Sequence, residues 1–243
     1  MLSPLQLRRQ RIALITKEEK ELVNAQDDSG VPAVIHSPAN KNEWDLVRAS
    51  IRKDQAALKT TKQLADKIAY KTRCLLQYEP YILRENIPLD VAVVLAIWLL
   101  DCGNLQRAIP LGLYCVKFGA VMPSGHKRDV ATFMADAILD WSESQWKQGH
   151  STSPYFEEMF NLVTTEWKMF DQVEAKYYKQ AGLMALSTYG IQVKHISEPE
   201  PLYIAKALLE KAHEKWKSVG VSTRIDTINK RLMKLNLPLT AEE

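Results

Sequence analysis

No glycine or proline occurs between Asn42 and Tyr78, which predicts one uninterrupted helix of about ten turns. Every seventh residue from Trp44 gives Trp44, Ile51, Leu58, Ala65 and Thr72. A second row three residues along gives Val47, Asp54, Thr61, Ile68 and Leu75. These are the a and d positions of a heptad, apolar at the ends and polar in the middle of the d row. The spacing predicts a coiled-coil-like seam at a subunit or intrachain interface, with Trp44, Val47, Ile51, Leu58 and Ile68 as the candidate contact residues. Asp54 and Thr61 set register there at a cost in stability. A lightly apolar helix of this kind gains its stability from a partner helix rather than from its own propensity.

The remaining faces of this helix are basic. Residues 1–75 hold 14 Lys and Arg against 9 Asp and Glu, whereas the rest of the chain holds 18 against 20. Net charge over 243 residues is only +3, so it is the distribution that points to an acidic partner. Arg8, Arg9 and Arg11 lie in an N-terminal arm behind the cap-like Ser3-Pro4. Arg48, Arg52, Lys53, Lys59, Lys62 and Lys67 lie on the long helix. Together they are the candidate DNA-binding residues, neutralising phosphates by charge. A solvated helix surface is the bland alternative.

The rest of the chain reads as helix. Leu, Ala, Lys, Glu and Gln recur at helical spacing, and strand-like alternation is scarce, so the fold class is all-α. The boundaries predicted are a basic arm and linker over 1–40, the long basic helix over 41–80, a central helical bundle over 81–197 and a C-terminal helical hairpin over 198–243. Glu79-Pro80 is expected to end the long helix. Val91–Leu100 is apolar all round and predicts the buried centre of the bundle. A long helical region is expected from Tyr155 to about Thr188. After Glu198-Pro199-Glu200-Pro201, the rows Ala205, Leu208, Leu209, Ala212, Trp216 and Ile225, Ile228, Leu232, Leu235 predict an αα-hairpin about Gly220. It is a self-contained unit in sequence, but one such unit cannot bury its own face and must dock on the body or on a partner.

Chemistry is harder to find. No phosphate-binding Gly-x-x-x-x-Gly-Lys loop is present, and His36, His126, His150, His195 and His213 lack ligand spacing for zinc. Glu166-Trp-Lys168 and Glu174-Ala-Lys176, with Asp136 or Asp140 upstream, have the composition of a metal-dependent nuclease. On a helix, however, residues i and i+2 diverge by about 200°. No catalytic residue, metal ligand or cofactor is therefore assigned. Three cysteines without ligand spacing fit a reducing setting. The longest apolar run is too short for a membrane span, and no apolar segment follows the N-terminal arginines as in a signal peptide.

The run Ala96-Ile-Trp98-Leu-Leu-Asp101-Cys-Gly103-Asn-Leu-Gln-Arg-Ala108, followed by Tyr114 and Phe118-Gly119-Ala-Val-Met122-Pro123, resembles the small terminase subunits of tailed temperate coliphages, the gpM type. The arginine cluster, the long basic helix and the closing hairpin also look like that family. The resemblance implies recognition of double-stranded viral DNA at the cohesive-end packaging site, a homo-oligomeric ring, recruitment of a large terminase subunit carrying ATPase and nuclease activity, and a place in the cytoplasm of the bacterial host. The family is often labelled an endonuclease subunit, so cohesive-end cutting by this chain is one alternative. A protein-only helical adaptor is the other.

Overall fold

The computed structural model describes residues 41–186 and 190–239. Among them are nine α-helices and no strand, so the fold is all-α. The helices belong to one compact unit.

The long helix is not continuous. It is two helices, α1 (Lys41–Thr60) and α2 (Leu64–Ile82), with a break at residues 61–63. The Thr60 and Thr61 hydroxyls both donate to the Ala57 carbonyl, at 2.8 and 3.2 Å. Paired β-branched residues whose side chains compete for backbone acceptors favour such a stop. The chain then folds back. Arg84 meets Glu43 at 3.0 Å, the Tyr81 ring lies 5.6 Å from Trp44, and Tyr78 reaches Asp54 at 2.6 Å. Rising numbers on one helix thus pair with falling numbers on the other, as in an antiparallel hairpin. Pro80 lies inside α2 rather than ending it.

This fold-back fills the seam from within the chain. Trp44, Val47, Ile51 and Leu58 are 6%, 4%, 5% and 8% exposed, while Ile68 is half-buried. Their row is core of the subunit.

Helix α3 (Leu89–Asp101) is the buried centre: all ten residues Val91–Leu100 are buried. Gly103, at φ +71, turns the chain into α4 (Leu105–Lys117). Asp129 caps α5 (Val130–Lys147), accepting from the Thr132 amide at 2.7 Å. Gly112 of α4 lets α5 approach, because a Cβ there would collide with the Met134 thioether.

The helical region expected over 155–188 is also interrupted. Helix α6 (Tyr155–Asn161) widens into a π turn over Leu162–Glu166, closed by the Trp167 amide on the Leu162 carbonyl at 2.7 Å. Thr164 and Thr165 donate to the Phe160 and Asn161 carbonyls, each at 2.7 Å. Helix α7 (Asp171–Ala185) follows, with the buried Tyr177 hydroxyl donating to the Ala135 carbonyl at 2.7 Å.

The closing hairpin is α8 (Pro199–Lys215) and α9 (Ser222–Lys234), turned by Gly220 at φ +76. It docks on the body of the subunit. Gly182 of α7 lies so close to α8 that a Cβ would meet Leu209 Cγ at 2.9 Å and the Ala205 carbonyl at 3.1 Å. Ala175, Leu186, Val193, Leu202, Leu209, Ile228 and Leu232 form one cluster spanning the three helices.

Candidate nucleic-acid interface

The hairpin of α1 and α2 is pinned by a buried polar group. Asp54, 7% exposed, accepts from Tyr78 at 2.6 Å, Tyr70 at 2.9 Å and Gln77 at 3.2 Å. A buried carboxylate survives only with such partners. The same contacts perturb their donors. Hydrogen bonding to Asp54 pushes the Tyr70 hydroxyl up to about 12, and burial with the Asp54 bond raises Tyr78 as well. Burial, helped by Asp54, pushes the Cys74 thiol up to about 11.

Around this pinned hairpin the candidate cations fall into three groups. Arg8, Arg9 and Arg11 lie outside the described residues. Arg48 is committed to holding α1 on α3: its guanidinium contacts Asp90 at 2.7 and 3.0 Å and Asp45 at 3.1 Å. The Arg48 hydrogen bond holds the Asp90 carboxyl below its usual range. Arg52, Lys53, Lys59 and Lys62 are exposed and Lys67 is half-buried. None of these five is in an ion pair among the described residues. Arg52 and Lys59 share a face of α1 at i and i+7, Lys62 stands in the turn, and Lys67 follows on the first turns of α2.

Arg73 joins this surface, although it was not among the candidates. Exposed on α2, its guanidinium lies over the Tyr70 ring at 5.5 Å. The i,i+3 spacing of Tyr70 and Arg73 on a helix was the available signal. The neighbouring groove, about 230 Å³, was not legible, since it joins Arg52 and Gln55 of α1 to Val121 and Pro123 of a later loop.

The nuclease-like residues do not converge. Glu166 is exposed and takes a bond from Asn161 at 3.1 Å. Glu174 pairs with Lys215 at 2.5 Å, Asp136 with Arg128, and Asp140 is exposed. Among the described residues no group of three or more His, Cys, Asp or Glu is placed to hold a metal ion. His36 lies outside the described residues. His126 packs edge-on against Phe133, with ring centroids 5.4 Å apart, and His150 contacts the Gln145 side chain at 3.1 Å. Trp44 and Trp98 are core residues rather than stacking platforms. Among the described residues no helix is long and apolar enough to cross a membrane.

Comparison with known proteins places the chain in a family. The profile described as phage small terminase subunit matches residues 48–172, from the middle of α1 to the start of α7. A probable terminase endonuclease subunit of Haemophilus phage HP1 is 28% identical over 202 residues, covering 79% of this chain and 71% of the relative. A terminase endonuclease subunit of Escherichia phage P2 is 25% identical over 146 residues, covering 58% of this chain and 59% of the relative. No solved structure matches. A profile spanning half of the chain, with these relatives, shows that the chain belongs to the phage small terminase subunit family.

Proposed function

We propose that this chain recognises double-stranded viral DNA at the packaging site, assembles with copies of itself and recruits the large terminase subunit in the host cytoplasm. The observation that carries the DNA contact is the set of cations Arg52, Lys53, Lys59, Lys62 and Lys67 on the α1–α2 hairpin, none of them in an ion pair among the described residues. Arg8, Arg9 and Arg11 are proposed to add to it. Each phosphate neutralised contributes about −0.9 to the slope of log affinity against log salt. Repetition in an oligomer multiplies such weak contacts along one DNA. With Trp44, Val47, Ile51 and Leu58 buried inside the subunit, the apolar side chains left on the hairpin for a neighbour include Leu46 of α1 and Leu64 of α2, 72% and 71% exposed. Leu76 of α2 and Leu83 just after it are 69% and 59% exposed.

The test is native mass measurement with and without cohesive-end DNA, repeated for the Arg52→Glu, Lys53→Glu, Lys59→Glu triple variant. The expected result is unchanged oligomer mass, weaker DNA retention and a shallower salt slope. Equal retention by variant and wild type across the salt series sinks this surface.

A second reading, cohesive-end cutting by this chain, rests on the names of the HP1 and P2 relatives. It predicts divalent-metal-dependent cleavage by the purified chain, lost in Glu166→Gln or Asp140→Asn.

A further inference from the structure

We infer that the cleft between the end of α7, residues 190–194 and α9 is a docking site for a protein segment that combines acidic residues with an apolar anchor. The cleft holds about 480 Å³, a size typical of pockets that take a side chain or a small ligand, roughly 300–1,000 Å³. Its floor is Leu183, Leu186, Ile191 and Val193. Leu186 and Val193 belong to the core cluster of α7, α8 and α9, and Ile191 packs on it, so the floor is fixed by the fold.

Lys194 and Arg224 stand at its edge. Both are exposed and neither is in an ion pair among the described residues. Among the described residues no Asp or Glu lines the cleft. Two free cations over an apolar floor are complementary to a carboxylate beside a Leu, Ile, Phe or Trp side chain, the pattern of helix-in-groove and acidic-motif recognition. Gln192 and Thr227 supply polar groups for the bound backbone. Duplex DNA fits this site poorly: its regularly spaced phosphates rest on a broad basic face and bury no apolar side chain. The cleft shares no residue with the basic hairpin surface. Which protein carries the segment rests on the packaging reading, where it is the large subunit; the site rests on its own geometry.

A random library of short displayed peptides selected on the immobilised full chain tests the site, with the Thr227→Trp chain, which plugs the cleft, as counter-selection. Peptides that survive should pair Asp or Glu with large apolar residues. Synthesised and labelled, they should lose about tenfold in affinity on Lys194→Glu, Arg224→Glu, a change of about 1.4 kcal/mol. Their fluorescence polarisation should be unmoved by duplex DNA. Survivors without acidic residues, no survivors, or displacement by duplex DNA each overturn the proposal. Lys194 and Arg224 are exposed, and circular dichroism melts matching wild type show that the charge variants fold. DNA retention by the same variants should equal that of wild type. If wild type itself retains no DNA, the packaging reading fails while the peptide result still stands.

Discussion

The Tyr78 hydroxyl donates to the buried Asp54 carboxylate at 2.6 Å, joining two helices whose contacting residues are 24 apart in sequence. This bond sets the register of the α1–α2 hairpin and hence where its cations point. Tyr78→Phe keeps the ring packed against Trp98 but leaves the carboxylate short of a donor. A hydrogen bond to a charged group contributes about 1.5–3 kcal/mol, so urea unfolding should show a loss of that order. Tyr70→Phe should cost less, since Tyr70 is only part-buried. Equal losses for the two variants would show that burial does not rank these bonds.

Alkaline pH should loosen the same hairpin. The Cys74 thiol moves from 9.0 to about 11 and the Tyr70 hydroxyl from 10.0 to about 12, and Tyr78 is raised too. A raised folded value means the stabilisation is complete below the unfolded value and is lost as pH climbs through the folded one. Stability should therefore be insensitive to these groups below about pH 9 and fall between about pH 9 and 12. Thermal melts across this range check it, with Cys74→Ala and Tyr70→Phe each expected to flatten the fall.

Arg48 and Arg52, four residues apart on α1, should separate stability from binding. Arg48→Ala removes the Asp90 pair and should cost about 0.5–1 kcal/mol, as for a partly exposed ion pair, with little change in DNA affinity. Arg52→Ala should leave the melting temperature unchanged and weaken DNA retention. Thermal melts alongside gel shifts at two salt concentrations compare them. The reverse pattern would make Arg48 rather than Arg52 the DNA contact.

Gly182→Ala should detach the closing hairpin from the body. The new Cβ would sit 2.9 Å from Leu209 Cγ and 3.1 Å from the Ala205 carbonyl, and backbone does not yield as a side-chain end does. Overpacking of this kind costs about 1–3 kcal/mol. Limited proteolysis should cut the variant first between α7 and α8. A cleavage pattern like that of wild type would show that α8 shifts to accept the methyl group.

Much of the fold was legible because its causes are local. Helix-forming composition makes the chain all-α, and a run such as Val91–Leu100, apolar on every side, has no stable place except the middle of the bundle. Gly220, with a positive φ, marked the turn of the closing hairpin. The family resemblance rested on short runs of this local kind. The candidate site was legible as a set of cations but not as a surface. Arg48 could not be set apart from Arg52 while its partner Asp90, 42 residues on, was unplaced.

From sequence alone came the apolar seam on α1, the basic charge beside it and the polar interruption at Asp54. Tertiary structure decided what they do. It ended the helix at Thr60 and folded α2 back along α1, so that the seam Trp44–Val47–Ile51–Leu58 closed within one subunit. It gave Asp54 three donors from α2, turning an interruption in a heptad into the register pin of a hairpin. The physical reason is range. Propensity and periodicity act within a few residues, whereas covering a seam or satisfying a buried carboxylate depends on groups that only folding brings together.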